Sequence, residues 1–169
     1  MALCRGLIID IRNNGGGNLT TAERLAGRFV QEKTLVSYMQ HKTGTGHHDF
    51  SSLEARYLEP SSNLRWHKPV CVLTNRSVFS AANDFAVMMH ALPNVKLIGD
   101  RTGGGSGLPM SSSLPNGWSV RFSACPMYDR NKQHTEFGID PDIPAALTDE
   151  ATAQGIDLII EKAREMLTN

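Results

Sequence analysis

A serine at the start of a helical stretch is the residue of this chain best placed to do chemistry. Ser80 follows an apolar, β-branched run from Val70 to Leu73 and a polar turn, and apolar residues at helical spacing come after it. The pattern predicts a buried strand, a turn and a helix that begins at Ser80. A serine at this place is most often an N-cap, whose hydroxyl accepts from a backbone N–H two or three residues later.

The surroundings of Ser80 also suit a nucleophile. Ala81 and Ala82 follow it and leave room for a substrate backbone to approach. A helix N-terminus offers unpaired N–H groups and partial positive charge where an oxyanion would form. The glycine-flanked elbow motif of many serine hydrolases is absent. The local pattern alone therefore leaves both the N-cap and the nucleophile open.

Two glycine-rich loops each follow an apolar strand. The first contains Gly15-Gly16-Gly17 and lacks both the glycine spacing and the lysine of a phosphate-binding loop, and the second, residues 103–107, lacks that lysine too. Nucleotide binding is therefore disfavoured. Glycines in such loops let backbone N–H groups approach a reacting carbonyl, and the alternative is that they only form tight turns.

Four ordered blocks resemble the C-terminal-processing (tail-specific) peptidases and the related tricorn core proteases. The blocks are residues 6–17, 70–86, 97–105 and 138–142. The first resembles the family's apolar strand that ends in Asp-Leu-Arg-x-Asn-x-Gly-Gly, and the last resembles its Gly-Ile/Val-x-Pro-Asp. The resemblance implies a ClpP/crotonase-like α/β fold, with a mostly parallel sheet flanked by helices. It also implies a serine endopeptidase that forms an acyl-enzyme on Ser80.

The resemblance also implies partners for Ser80. The N–H of Gly16 or Gly17 and that of Ala81 would form the oxyanion hole. The lysine base of the processing branch, 25 residues after the serine, would fall on Gly105, so a Ser-Lys dyad is excluded. The tricorn-like branch uses instead an upstream histidine and a glutamate just before the Gly-Val-x-Pro-Asp block, a place that Glu136 occupies.

The general base is the part of this mechanism that the chain does not clearly supply. The matching histidine would precede residue 1, so the isolated chain is expected to be poorly active. Within the chain, alternation would put His134 on the same side of an extended segment as Glu136, which makes it the alternative base. His90 lies roughly 15 Å along the helix from Ser80, too far to take its proton.

Two other functions remain open. The first is a peptide- or ligand-binding module of the same fold that does not cleave, which the missing lysine and histidine favour. The second is a crotonase-like enzyme that acts on thioesters, although no residues indicate a CoA-binding surface and Ser80 would then have no role.

Composition sets broader limits. The 169 residues predict one domain, and the 17 basic and 17 acidic side chains give no reason to expect nucleic acid as a partner. No apolar run approaches the roughly 20 residues of a membrane span, and the first residues, which run almost directly into a strand, do not predict a signal peptide. We expect residues 1–169 to be a catalytic domain excised from a longer chain with upstream modules. Its expected partners are a peptide or protein substrate and that upstream domain. Because most members of the family that it resembles act outside the cytoplasm, we expect a periplasmic or secreted location.

No cofactor or metal is expected. The adjacent side chains of His47 and His48 cannot face one point, and the three cysteines lack metal-ligand spacing. Cys71 and Cys125 lie in apolar strand patterns, which predicts that they are small core residues.

Periodicity and turn signals predict the remaining elements. Strands are predicted at residues 6–11, 35–39 and 95–98, and helices from Thr20 or Thr21 to about residue 31 and from 148 to about 167. Pro115-Asn116-Gly117 predicts a hairpin between residues 110–114 and 118–124. The polar segment 128–137 is expected to cross the surface near the site.

Overall fold

The computed structural model describes residues 4–168 of the chain. The strands are β1 Leu7–Asp10, β2 Thr34–Met39, β3 Glu54–Leu58, β4 Val70–Thr74, β5 Val95–Gly99, β6 Met110–Ser113, β7 Ser119–Phe122, β8 Met127–Asp129 and β9 Ile143–Pro144. The helices are α1 Leu19–Ala26, α2 Ala81–His90, α3 Asp149–Ala153 and α4 Leu158–Thr168.

A four-stranded parallel sheet in the order β1-β4-β5-β9 forms the centre of the fold. All five residues of β4 are buried, because this strand lies between two others and is covered on both faces. Val70 and Val72 pack in the cluster that includes α2, whereas Cys71 and Leu73 pack in the cluster that includes α4. This architecture confirms the α/β fold with a mostly parallel sheet.

The parallel arrangement places the ends of β1 and β4 at the same edge of the sheet. There the N–H of Asn13 donates to the side chain of Asn75 at 3.1 Å, and the N–H of Phe79 donates to the carbonyl of Asn14 at 3.0 Å. The first glycine loop is thereby fastened to the turn that leads into Ser80.

Two further sheets lie outside the central one. An antiparallel sheet, β3-β2-β8, packs against α2 and was not predicted from the sequence. The β6–β7 hairpin has the predicted turn, and all eight of its strand residues are exposed. No helix within residues 4–168 is long and apolar enough to cross a membrane.

Two predicted helices differ from the observed ones. The N-cap of α1 is Asn18, which accepts from the N–H of Thr21, so the prediction of a cap at Thr20 or Thr21 was wrong. The helix also ends at Ala26, before Gly27, rather than near residue 31. Thr148 caps the C-terminal helix as expected, but Gly155 takes a left-handed φ of +71° and divides that segment into α3 and α4.

Two side chains expected in the core lie elsewhere. Ile156, next to that glycine, is 41% exposed rather than on the inner face. Cys71 is 2% exposed and matches the expected core position, but Cys125 is only partly buried, with its Sγ 3.5 Å from His41 Nδ1. Burial raises the pKa of the Cys125 thiol.

Candidate active site

Ser80 occupies a sharp, strained turn between β4 and α2. Its φ of 55° and ψ of −127° lie outside the regions that non-glycine residues normally adopt. Ser80 stands at the N-cap position of α2, but its side chain makes no capping hydrogen bond, so of the two alternatives left open by the sequence the structure does not show the cap. A strained strand-to-helix turn with an uncommitted hydroxyl is typical of a serine nucleophile.

The first glycine loop lies directly against this turn. A Cβ at Gly16 would lie 2.7 Å from the Cβ of Ser80 and 2.6 Å from the carbonyl oxygen of Phe79, and the φ of Gly16 is +101°. Both the space and the backbone conformation therefore require glycine at this position.

The backbone N–H groups of this loop divide into paired and unpaired ones. The N–H of Gly16 donates to the side chain of Asn14 at 3.0 Å. Among residues 4–168, the N–H groups of Gly17 and Ala81 have no hydrogen-bond acceptor. Gly17, Ser80 and Ala81 line one small cavity, so both residues with a free N–H share that cavity with the serine.

The second glycine loop lies on the other side of the turn. The N–H of Ser80 donates to the carbonyl of Gly104 at 2.8 Å, and the N–H of Gly103 donates to the carbonyl of Val78 at 2.7 Å. On its far side, the N–H of Gly105 donates to the carbonyl of Glu136 at 2.8 Å. The loop therefore connects the serine turn to the segment that carries Glu136.

Glu136 lines the same open cleft as Ser80. This cleft has a volume of about 550 Å³, and its lining also includes Gly17, Arg121 and Ser123. The hydroxyl of Ser123 donates to Oε1 of Glu136 at 2.9 Å, which holds the carboxylate in place. Neither Ser123 nor Arg121 was identified from the sequence, because an exposed hairpin strand carries no pattern that marks a cleft residue.

His134 lies next to Glu136 in sequence but outside the residues that line the cleft. Its ring packs against the ring of Tyr128, with centroids 5.2 Å apart, and its Nδ1 accepts from the N–H of Glu136 at 3.3 Å. Within residues 4–168, no histidine or lysine lines either of the Ser80 cavities. His90 is directed to Asp142, with Nε2 3.5 Å from Oδ2.

A buried polar network lies beneath the cleft. The side chain of Asn83 donates to the hydroxyl of Ser106 and accepts from that of Thr102, both at 2.6 Å, and it donates to the carbonyl of Thr135 at 3.4 Å. The hydroxyl of Thr102 in turn accepts from the N–H of Ile139 at 2.8 Å. Because all four side chains of the network are at most 3% exposed, it ties α2 to both segments that face Ser80.

Two acidic residues of the four blocks, Asp142 and Asp10, bind other protein groups away from Ser80. Asp142 accepts from Lys96 Nζ and from the N–H of Leu97, both at 2.8 Å. Burial by itself would raise the pKa of Asp142, but the two hydrogen bonds outweigh that effect, so the pKa is lowered. Arg12 bridges Asp10 and Asp157 at 2.7 Å each, and its hydrogen bonds lower the pKa of both carboxyls. These residues stabilise the frame and do not reach the cleft.

Metal chemistry finds no support in the side-chain arrangement. No group of three or more His, Cys, Asp or Glu side chains within residues 4–168 is arranged to hold a metal ion.

Comparison with known proteins places this geometry in a family. The profile described as "Peptidase family S41" matches residues 2–145. The carboxy-terminal processing protease CtpA of Bacillus subtilis is 25% identical over 155 residues, which cover 90% of this chain and 31% of CtpA. The tricorn protease of Thermoplasma volcanium is 26% identical over 165 residues, which cover 96% of this chain and 14% of that protein.

A solved structure resembles the whole described chain. The crystal structure of a candidate peptidase from Parabacteroides merdae is 57% identical, with a TM-score of 0.95, and the match covers 98% of this chain and 53% of that one. The chain thus spans about half of that protein and a third or less of the two curated relatives. With most of its length matched by the family profile, the chain belongs to peptidase family S41, a family of serine-type peptidases.

Proposed function

We propose that this chain is the catalytic domain of a serine endopeptidase, with Ser80 as the nucleophile. The observation that carries the proposal is the strained conformation of Ser80, with an uncommitted hydroxyl, at a cleft that Glu136 also lines. A hydroxyl used only as a helix cap would bind a backbone N–H and would need no strained φ.

The N–H groups of Gly17 and Ala81 are the proposed oxyanion donors. Both lack an acceptor among residues 4–168, whereas the N–H of Gly16 is already bound to Asn14. Gly16 would instead allow the loop to approach Ser80, since any Cβ there would collide with that residue. Preorganised donors of this kind typically contribute about 3–4 kcal/mol each to lowering the barrier.

The proposed reaction is acyl transfer in two steps. The Oγ of Ser80 bonds to the peptide carbonyl carbon while its proton passes to a base, and the C–N bond then breaks as the amine leaves with a proton. Water next attacks the ester, the acid product leaves, and the proton returns to Ser80.

We propose that the base is a histidine from a part of the protein outside these 169 residues, oriented by Glu136. The proposal is supported by the cavity linings, which include no histidine or lysine from residues 4–168. Gly105 stands where the lysine of a Ser-Lys dyad would be, and Glu136 stands where the tricorn-like branch has its glutamate. Both positions favour the tricorn-like arrangement. We also propose that the full-length protein has upstream modules, acts on a peptide or protein substrate and lies outside the cytoplasm. Fractionation of cells that express the full-length protein would test the location.

A non-cleaving binding module is the second candidate. The same missing base favours it, because a serine without a base is a poor nucleophile. Membership of a peptidase family removes the reason to consider a crotonase-like enzyme.

Labelling with a fluorophosphonate tests the proposal. In the full-length protein, Ser80 is expected to be the labelled serine, and Ser80→Ala is expected to abolish the label. Ser77→Ala is the matched control, because Ser77 is exposed in the same turn and lines neither cavity. Label that persists on Ser80→Ala would remove Ser80 from the mechanism, and an unlabelled wild-type protein would favour the binding module.

A further inference from the structure

A second, smaller cavity opens beside Ser80, next to the cleft that contains Glu136. Its volume is about 140 Å³. Apolar groups form much of its wall: Leu19, Ala81, Leu108, Pro109 and Met127. An apolar protein cavity of about 150 Å³ accommodates a molecule the size of benzene, so this one has room for a single small or medium side chain.

The position of this cavity indicates which substrate residue would enter it. Its lining includes Ser80 and both residues whose N–H groups are free, Gly17 and Ala81. A carbonyl held between these donors belongs to the scissile residue, defined as the one whose carbonyl carbon Ser80 attacks. The side chain of that residue branches from the Cα next to the carbonyl carbon and therefore adjoins the cavity.

Asp84 is the one carboxylate among the described residues that line the cavity. It lies one turn after Ser80 in α2, and its side chain is 4% exposed. A carboxylate at the base of such a pocket is a device by which serine proteases select basic side chains. Read by itself, Asp84 would predict cleavage after lysine or arginine.

Arg56 reverses that prediction. Its guanidinium binds both oxygens of Asp84, with Nη1 2.9 Å from Oδ1 and Nη2 3.0 Å from Oδ2. Arg56 does not line the cavity, and its side chain is 13% exposed, with further bonds to Glu23 at 2.8 Å and Ser37 at 3.2 Å. The carboxylate is therefore neutralised from behind by a cation that stays charged at any relevant pH.

We propose that this cavity binds the side chain of the scissile residue and that Arg56 is a specificity-determining residue. By pairing with Asp84, it neutralises the one carboxylate of the described lining, and the other charged side chain there, Arg121, is exposed and also lines the open cleft. A lysine would lose its hydration in the cavity without gaining a free carboxylate, so small and medium uncharged side chains are preferred over it. The proposal rests on the peptidase function proposed above.

Peptidyl diphenyl phosphonates test this selectivity. In the labelling step the Oγ of Ser80 bonds to phosphorus, and phenoxide leaves as the hydroxyl proton is lost, so the rate reports directly on Ser80. Analogues would carry alanine, leucine, lysine or glutamate at the scissile position, on the full-length protein. Alanine and leucine are expected to react at least about tenfold faster than lysine.

Two variants shift the charge behind the cavity in opposite directions, because Arg56→Met removes a positive charge and Asp84→Asn removes a negative one. Arg56→Met releases the carboxylate of Asp84, and the lysine-to-leucine rate ratio is expected to rise about tenfold or more. Asp84→Asn leaves Arg56 paired with Glu23 alone, and the glutamate-to-leucine ratio is expected to rise instead. If Arg56→Met does not fold, Asp84→Asn performs the same test with the opposite sign.

The outcomes separate this proposal from the proposed function. A wild-type protein that prefers lysine, or a correctly folded variant whose ratio does not change, overturns the role of Arg56. Labelling of Ser80 by a simple fluorophosphonate but by no peptidyl phosphonate overturns the cavity assignment while the nucleophile stands. Failure of both reagents overturns the proposed function itself.

Discussion

The carboxylate of Glu136 is a side chain whose removal is expected to affect the chemistry far more than the fold. It lines the Ser80 cleft and is held by Ser123, and its role would be to orient the base. In the full-length protein, Glu136→Gln is expected to lower kcat by tens- to thousands-fold, the order of magnitude of general acid–base catalysis. The midpoint of urea unfolding is expected to stay nearly unchanged, since the group is only partly buried.

Controls distinguish this role from a general effect of losing charge. Glu32→Gln removes an exposed carboxylate outside the cleft and is expected to leave kcat unchanged. Ser123→Ala keeps the carboxylate but removes its hydrogen bond, so a smaller loss of kcat is expected, with a displaced pH–rate profile. Full activity of Glu136→Gln would contradict the role of Glu136 in orienting the base and would favour the binding-module alternative.

Some residues of the site could be identified from the sequence and others could not. Ser80, Glu136 and the glycines were found because they belong to ordered blocks that resemble a family. Which glycine N–H is free could not be found in this way, since it depends on the side chain of Asn14 occupying the N–H of Gly16. Ser123 was missed for a similar reason, because its partner lies 13 positions away, across a turn.

The helix α2 carries both the nucleophile and the side chain that fixes its surroundings. Asn83 holds the loop with Thr102 and Ser106 and the segment with Thr135. Asn83→Ala leaves the buried hydroxyl of Ser106 without its partner and removes the acceptor of the short bond from Thr102, so the free energy of unfolding is expected to fall by about 2–3 kcal/mol. Because the segment of Glu136 loses its anchor, kcat is expected to fall more than KM rises.

Urea unfolding and steady-state kinetics on the same preparation check both effects. Asn131→Ala is the control, since Asn131 is exposed and lies in the turn after β8. A loss of stability with unchanged kcat would mean that the network supports the fold without positioning the site.

At the scale of elements, the sequence predicted strands and turns better than helix ends. The buried run of β4 and the Pro115-Asn116-Gly117 turn are strong local signals, and both elements form where expected. The end of α1 and the break at Gly155 depend on one backbone residue each. Both were missed because the amphipathic periodicity of the sequence continues past them. The β3-β2-β8 sheet was missed because its register joins segments that have no common sequence signal.

The molecule as a whole assembles its site from five separate segments of the chain. The cleft is lined by residues of the segments 15–17, 79–80, 105–109 and 121–123 and by residue 136. The first three segments follow β1, β4 and β5, whose ends the parallel sheet brings to one edge, and the last two reach this edge from outside the sheet. The placement of Glu136 over Ser80 therefore depends on how residues 138–144 are held against β5. Asp142 provides much of that attachment through Lys96 and Leu97, with His90 also close.

This attachment predicts a stability difference that depends on pH. The pKa of Asp142 is lowered in the folded state, so its carboxylate stabilises the fold above the ordinary unfolded value of about 3.9. That contribution is lost as the pH falls through the lower folded-state value. Asp142→Asn is therefore expected to lower the free energy of unfolding by about 1–3 kcal/mol at neutral pH.

The deficit of Asp142→Asn is expected to shrink as the pH falls below about 4 and to close below the lowered folded-state pKa, where the wild-type carboxyl is protonated as well. Urea unfolding of both proteins between neutral pH and about pH 3 measures this. Asp140→Asn is a matched control two positions away, because Asp140 is 73% exposed and pairs with Arg101 on the surface. Such a pair contributes at most about 1 kcal/mol, so its loss is expected to be small. A deficit of Asp142→Asn that stays constant with pH, or an equal deficit in Asp140→Asn, would show that the carboxylate of Asp142 does not hold this segment.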